Sequence, residues 1–291
     1  MPEQAAVEVA AWQLGGLAAE LAQAPGSISD ALEARLVGRI IGEPMDAAEL
    51  ACPVVGTSRD AERARVAEAL LHAASSTRDG SEAAGSALEI AGFGDLRTAA
   101  ARDDEGRRAH GGRGIVAAAE AAGAIVVASP GNERLERAAG LVAAVHLARA
   151  GSTVRAIVAP VRLDAATRSA AVQLERSGAS AEWTRAWCVL LARDAERTRV
   201  AVATARARMA EESAAVGARP RVGATDQAVL GWLHGNLRFS IREATAALGL
   251  TTPTVGTAIA RLGHDGIAAE VTGQQRDRVW VATALLDLLA T

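Results

Sequence analysis

Apolar residues recur at helical spacing along most of the chain. Through residues 5–24 they fall around Trp12, Leu14, Leu17 and Leu21, and Pro25-Gly26 breaks the pattern. Ser29 or Asp30 is placed to cap a second helix reaching Ile41, which Gly42 and Pro44 end. A third helix is predicted over about 60–74, with Val66, Leu70 and Leu71 on its apolar face. Gly80, Gly85, Gly92 and Gly94 then predict looser chain.

Residues 102–114 (RDDEGRRAHGGRG) are charged, rich in glycine and without period, the pattern of a solvated loop. Residues 115–127 are almost wholly apolar, which predicts a central helix buried on most sides. Ser129-Pro130-Gly131-Asn132 interrupts it, and a further helix runs to Arg149. Two more are predicted over 164–177 and 180–210, the second carrying Trp183 and Trp187 one turn apart. Segment 211–224 (EESAAVGARPRVGA) shifts in composition and reads as a linker.

The C-terminal residues follow a different pattern. A short helix spans 226–234, with Val229, Leu230 and Leu233 on one side. Ser240-Ile-Arg-Glu243 is a capping box, which starts a helix at Ser240 that ends near Gly249. Thr252 followed by Pro253 reads as an N-cap with proline at the first helical position, and that helix stops at Gly263. Two β-prone runs, 267–271 and 278–281, flank Thr272-Gly-Gln-Gln-Arg-Asp277. A helix, a helix-turn-helix and a hairpin in that order predict a winged helix. Val229, Leu233, Leu248, Ile259, Leu262 and Val279 would form its core with Trp232 and Trp280, and Leu285 and Leu288 would dock the last helix. The fold class expected is mainly α: an N-terminal helix over 1–29, a helical bundle over 30–210, a linker over 211–224, and a small α+β winged-helix domain over 225–291.

Composition narrows the chemistry. Alanine makes up about a quarter of the chain and only 2% is aromatic, which favours helices over a β-sandwich. All 31 basic residues are arginine, so a lysine Schiff base and a phosphate loop of the Walker type are excluded. A net charge of -3 leaves no global basic field, so any nucleic-acid contact must come from a local patch. Cys52 and Cys188 lie far apart, five histidines are scattered, and no metal-ligand spacing emerges. Glu3 and Glu8 stand where a signal peptide needs positive charge, and apolar runs are interrupted before a bilayer's length. A cytoplasmic protein with no membrane partner is expected.

Several local patterns bear on catalysis. Gly92-Phe-Gly94 begins like a dinucleotide fingerprint, but no third glycine follows and no valine-rich strand precedes it. No G-x-S-x-G elbow is present. Residues 130–137 (PGNERLER) place a helix start beside two arginines, a combination that suits an anion. The alternative is an ordinary helix start, with Glu133 and Glu136 complementing the helix dipole and the arginines in water.

That segment resembles the signature of the Fic family, HPFxDGNGRxGR, whose members transfer AMP or related groups to protein hydroxyls from an all-helical fold. Gly131, Asn132, Arg134 and Arg137 match the glycine, the asparagine and the two arginines. Residues 93–98 (FGDLRT) are similar to the family's PGxFRT segment, and 178–190, with Trp183 and Trp187, to its GDWExWLxFF helix. The stretch from Phe239 to the end resembles the winged helix appended to many bacterial members.

The departures are chemical. The catalytic histidine of the signature falls on Val126, its proline on Val127, its phenylalanine on Ala128 and the metal-binding acid on Pro130. Glu133 and Glu136 replace its two remaining glycines. Valine accepts no proton and proline ligates no metal, so the resemblance implies an inactive relative. Val37-Gly38-Arg39-Ile40-Ile41-Gly42 occupies the place of the family's inhibitory SxxxEG motif, with Ile41 where the glutamate would be. His146, on the helix after the motif, reads as a packed or half-exposed residue. No cofactor is expected. The alternatives are a nucleotidyl transferase rebuilt on Arg134 and Arg137, which would need ATP with magnesium, and a protein-binding partner of an active relative.

In a winged helix the second helix of the turn enters the major groove. That would place Thr252, Thr254, Val255 and Thr257 near duplex DNA, with Arg261 further along and Gln274, Gln275, Arg276 and Arg278 on the wing. Residues 219–291 carry seven arginines against six carboxylates, a weak basic excess. The alternative role for this module is contact with a protein partner or a second copy.

Overall fold

The computed structural model describes residues 2–42, 62, 65–70, 80–96, 114–127, 130–149, 159–178, 180–219, 223–273 and 278–290. They are mainly helical, with one small antiparallel sheet, as the sequence pattern predicts. None of their helices is long and apolar enough to cross a membrane. The chain divides into two compact units, one of residues 1–19, 33–44 and 55–199, the other of 20–32, 45–54 and 200–291.

Helix α1 (Glu3–Leu21) buries Ala6, Ala10, Leu14 and Leu17, a stripe at helical spacing. Trp12 is not on that stripe and is 71% exposed, which corrects its placement among the core positions. Helix α2 (Gly26–Ile41) starts ahead of the expected caps and ends where Gly42 takes a φ of 84°. Residues 65–70 are helical and bury Val66 and Leu70, while Leu71 lies outside the described residues. Helix α3 (Gly80–Ile90) replaces the looser chain expected there: burial of Ala83, Ala84, Ala87 and Leu88 outweighs the helix penalty of its glycines. The expected loop lies outside the described residues up to Gly114, which opens α4 (Gly114–Val126).

Helices α4 and α5 (Glu133–Arg149) pack along each other, and α3 packs on α5. Gly123 of α4 leaves room for an indole: a Cβ there would lie 2.6 Å from the Trp183 Nε1. Helix α6 (Ala165–Ser177) begins on Asp164, whose carboxylate accepts the Thr167 amide at 2.9 Å. Helix α7 (Ser180–Gly217) contributes the buried Trp183 and Trp187. Its length corrects the expected linker: the first half of 211–224 is helix, and the division between the compact units falls at Arg199 and Val200 within α7.

The second unit continues with α8 (Ala224–Asn236), β1 (Arg238–Ser240), α9 (Ile241–Leu248), α10 (Thr252–His264), β2 (Ala269–Glu270), β3 (Val279–Val281) and α11 (Thr283–Ala290). Strand β1 had no counterpart in the sequence reading. It pairs with β3, setting Phe239 opposite Trp280, and the sheet order is β1-β3-β2. Both bonds of the Ser240–Glu243 capping box form. At α10 the N-cap is Thr251 rather than Thr252, with no side-chain capping bond. Val229, Leu233, Ile259 and Leu262 are buried as expected, joined by Leu237, Phe239 and Val281. Leu248 and Val279 are half-buried, and α11 buries Leu286 and Leu289 together with Leu285, in place of Leu288.

Candidate functional site

The motif-like segment starts at a turn in which Gly131 holds a φ of 91°. The Asn132 side-chain oxygen accepts the Arg134 amide at 3.0 Å and so caps α5. Arg134 forks onto Asp95 with two bonds of 2.8 Å and lies over the Phe93 ring at 5.4 Å. The fork holds the Asp95 carboxyl below its ordinary range. Arg137 donates through Nη1 to the Ile41 carbonyl at 2.8 Å, closing the end of α2. A Cβ on Gly42 would collide with that guanidinium.

Glu136, in the first turn of α5, is buried. It accepts Arg168 Nε at 2.7 Å and the Leu163 amide at 3.0 Å. Val126 is fully buried, Glu133 is exposed and His146 is half-buried. Both arginines and Glu136 thus have protein partners. Sequence reading did not pair Arg134 with Asp95 or Glu136 with Arg168, since the partners lie 39 and 32 residues apart in the chain.

The C-terminal candidates divide. Val255, Ala258, Ile259 and Leu262 of α10 turn inward. Val255 therefore cannot meet DNA, a correction to its expected role. Arg261 forks onto the buried Asp226 carboxylate, with Nε to Oδ2 at 2.9 Å and Nη2 on Oδ1, while half of its side chain stays exposed. Thr252, Pro253, Thr257 and Ala260 face water, and Thr254 is half-buried. Thr257 Oγ1 donates to the Pro253 carbonyl at 2.9 Å, and Thr254 Oγ1 lies 2.8 Å from Thr251 Oγ1. Arg278 is exposed at the end of the hairpin, and Gln274, Gln275 and Arg276 lie outside the described residues. Arg242, exposed in the first turn of α9, was not picked out by sequence; its place inside the capping box was the available signal.

Two clefts of about 220 and 270 Å³ share Asn236 and Arg238. Between them the chain turns through Leu237, whose φ of 57° is set by bonds from its amide to Leu233 and to its carbonyl from Ala282. Among the described residues no group of His, Cys, Asp or Glu is placed to hold a metal ion. Cys188 is buried, and burial pushes its thiol up to about 12, away from nucleophile chemistry; Cys52 lies outside the described residues. No protein-family model matches the chain, and no curated protein matches it.

Proposed function

We propose that the chain is a catalytically inactive relative of the Fic family that binds duplex DNA through residues 224–290 and acts in the cytoplasm. The observation carrying the DNA reading is the setting of α10. A turn over 249–251 joins it to α9, its apolar side packs inward, and a face of Thr252, Pro253, Thr257, Ala260, Arg261 and His264 is left outward. The order of elements, with β1 completing a sheet against the hairpin, is that of a winged helix. Arg242 and Arg278 supply charge for phosphates.

The inactive Fic reading draws support from three meetings in space. Arg134 joins the PGxFRT-like segment through Phe93 and Asp95. Arg137 meets Ile41, the position that corresponds to the inhibitory glutamate. Trp183, in the segment similar to the family's tryptophan helix, donates to the Ala119 carbonyl of α4 at 2.7 Å. The residues present do not fit ATP with magnesium: Pro130 ligates nothing, both arginines are engaged within the protein, and Glu136 puts a carboxylate beside them.

The test is gel retardation of a random duplex pool by the full chain at about 50 mM salt. Retention that falls as salt rises supports the reading, with Arg242→Ala and Arg278→Ala each flattening the log–log salt slope by about 0.9. No retention of any duplex overturns it.

A further inference from the structure

The outward stripe of α10 runs through Pro253, Gly256, Thr257 and Ala260, at helical spacing three, four and seven. Its polar capacity is smaller than its sequence suggests. The Thr257 hydroxyl has spent its proton on the Pro253 carbonyl at 2.9 Å, so it has no donor left for a base edge. Between Thr254 and Thr251, 2.8 Å apart, one hydroxyl donates to the other, which leaves the pair a single free proton. Gly256 adds no side chain, and a Cβ built there would meet nothing within 4 Å, so the stripe is open along its middle. What Thr257 and Ala260 still offer a partner is their methyl groups and the acceptor lone pairs of the Thr257 hydroxyl.

The major groove offers one apolar feature, the 5-methyl group of thymine. Resting on the DNA-binding reading above, we propose that Thr257 and Ala260 read thymine methyl groups by apolar contact, so that the duplex selected carries thymines where α10 meets the groove. Thr257 then acts as a specificity-determining residue through its methyl and not its hydroxyl. Arg242 and Arg278 hold register on phosphates and carry no part of the choice.

The full chain is used to enrich a duplex from a random pool, and the enriched duplex is remade with deoxyuridine in place of thymidine. That change removes the methyl and leaves every hydrogen-bonding group of the base in place. Burial of one methyl is worth about fourfold in affinity, so the uracil copy is expected to bind about fourfold more weakly for each contacted thymine. Thr257→Val keeps a methyl and loses the hydroxyl, and it should preserve the thymine-to-uracil difference. Thr257→Ser keeps the hydroxyl and loses the methyl, and it should reduce that difference by about fourfold. Both positions face water, and matching thermal transitions of the variants establish that the fold is kept. Equal binding of the thymine and uracil copies overturns the inference while leaving DNA binding intact. So does a difference lost in Thr257→Val, or one undiminished in Thr257→Ser. If no duplex is enriched at all, the DNA-binding reading itself falls and the inference falls with it.

Discussion

Glu136 and Arg168 form an ion pair in which the carboxylate is buried and the guanidinium reaches it from the surface, at 2.7 Å. The structure supplies a reason for a carboxylate at this position. It satisfies both the arginine and the Leu163 amide, which ties α6 and the chain before it to α5.

Placing glycine at this position should therefore weaken the fold. Glu136→Gly leaves the buried Leu163 amide without its acceptor and adds a glycine inside a helix, a loss of about 2–4 kcal/mol in urea unfolding. Glu136→Gln keeps an acceptor for Leu163 and should cost less than the glycine variant.

Calorimetric titration of the full chain with ATP and magnesium is expected to give no micromolar binding. Asp95→Ala releases Arg134 but leaves Arg137 on the Ile41 carbonyl, so it should not create binding either. Micromolar affinity in either protein restores the transferase alternative.

Arg261→Ala is expected to act on stability before it acts on DNA. It strips the buried Asp226 carboxylate of its partner, and the half-exposed arginine puts the loss at about 1–3 kcal/mol by thermal or urea unfolding. Any fall in DNA retention should track the unfolded fraction and show no change of sequence preference.

Gly123→Ala places a Cβ where it would stand 2.6 Å from Trp183 Nε1 and 3.1 Å from Cδ1. The indole must shift and its bond to the Ala119 carbonyl weakens. The expected cost is about 1–3 kcal/mol, with a shifted tryptophan emission in the folded state.

Acid should weaken the second unit through Glu212. Burial raises its carboxyl, but the bonds from His234 and Arg208, each 2.8 Å, outweigh burial and hold it below the ordinary carboxylate range. A carboxyl lowered in the folded state contributes stability that is full above its unfolded value of about 4.3 and is lost as pH falls through the folded value. Thermal midpoints should therefore drop as pH falls below about 4.3, and Glu212→Gln should be less stable at neutral pH with a flatter acid limb.

What the sequence determined by itself was the local structure. The stripe of Ala6, Ala10, Leu14 and Leu17, the apolar run of α4, the Asp164 cap and the Ser240–Glu243 box are each specified by residues within one or two turns of one another. Where local signals were weak, tertiary packing overrode them. Burial of Ala83, Ala87 and Leu88 made a helix of a glycine-bearing segment, and β1 exists because β3 pairs with it. The side-chain partners were decided by the tertiary structure alone. Nothing near Arg134, Arg137 or Arg261 in the chain names Asp95, Ile41 or Asp226, because ion pairs and carbonyl caps between elements depend on which surfaces meet. Arg137 and Arg261 are engaged within the protein, since a fixed backbone or buried acceptor holds a guanidinium without the entropy cost of recruiting a ligand.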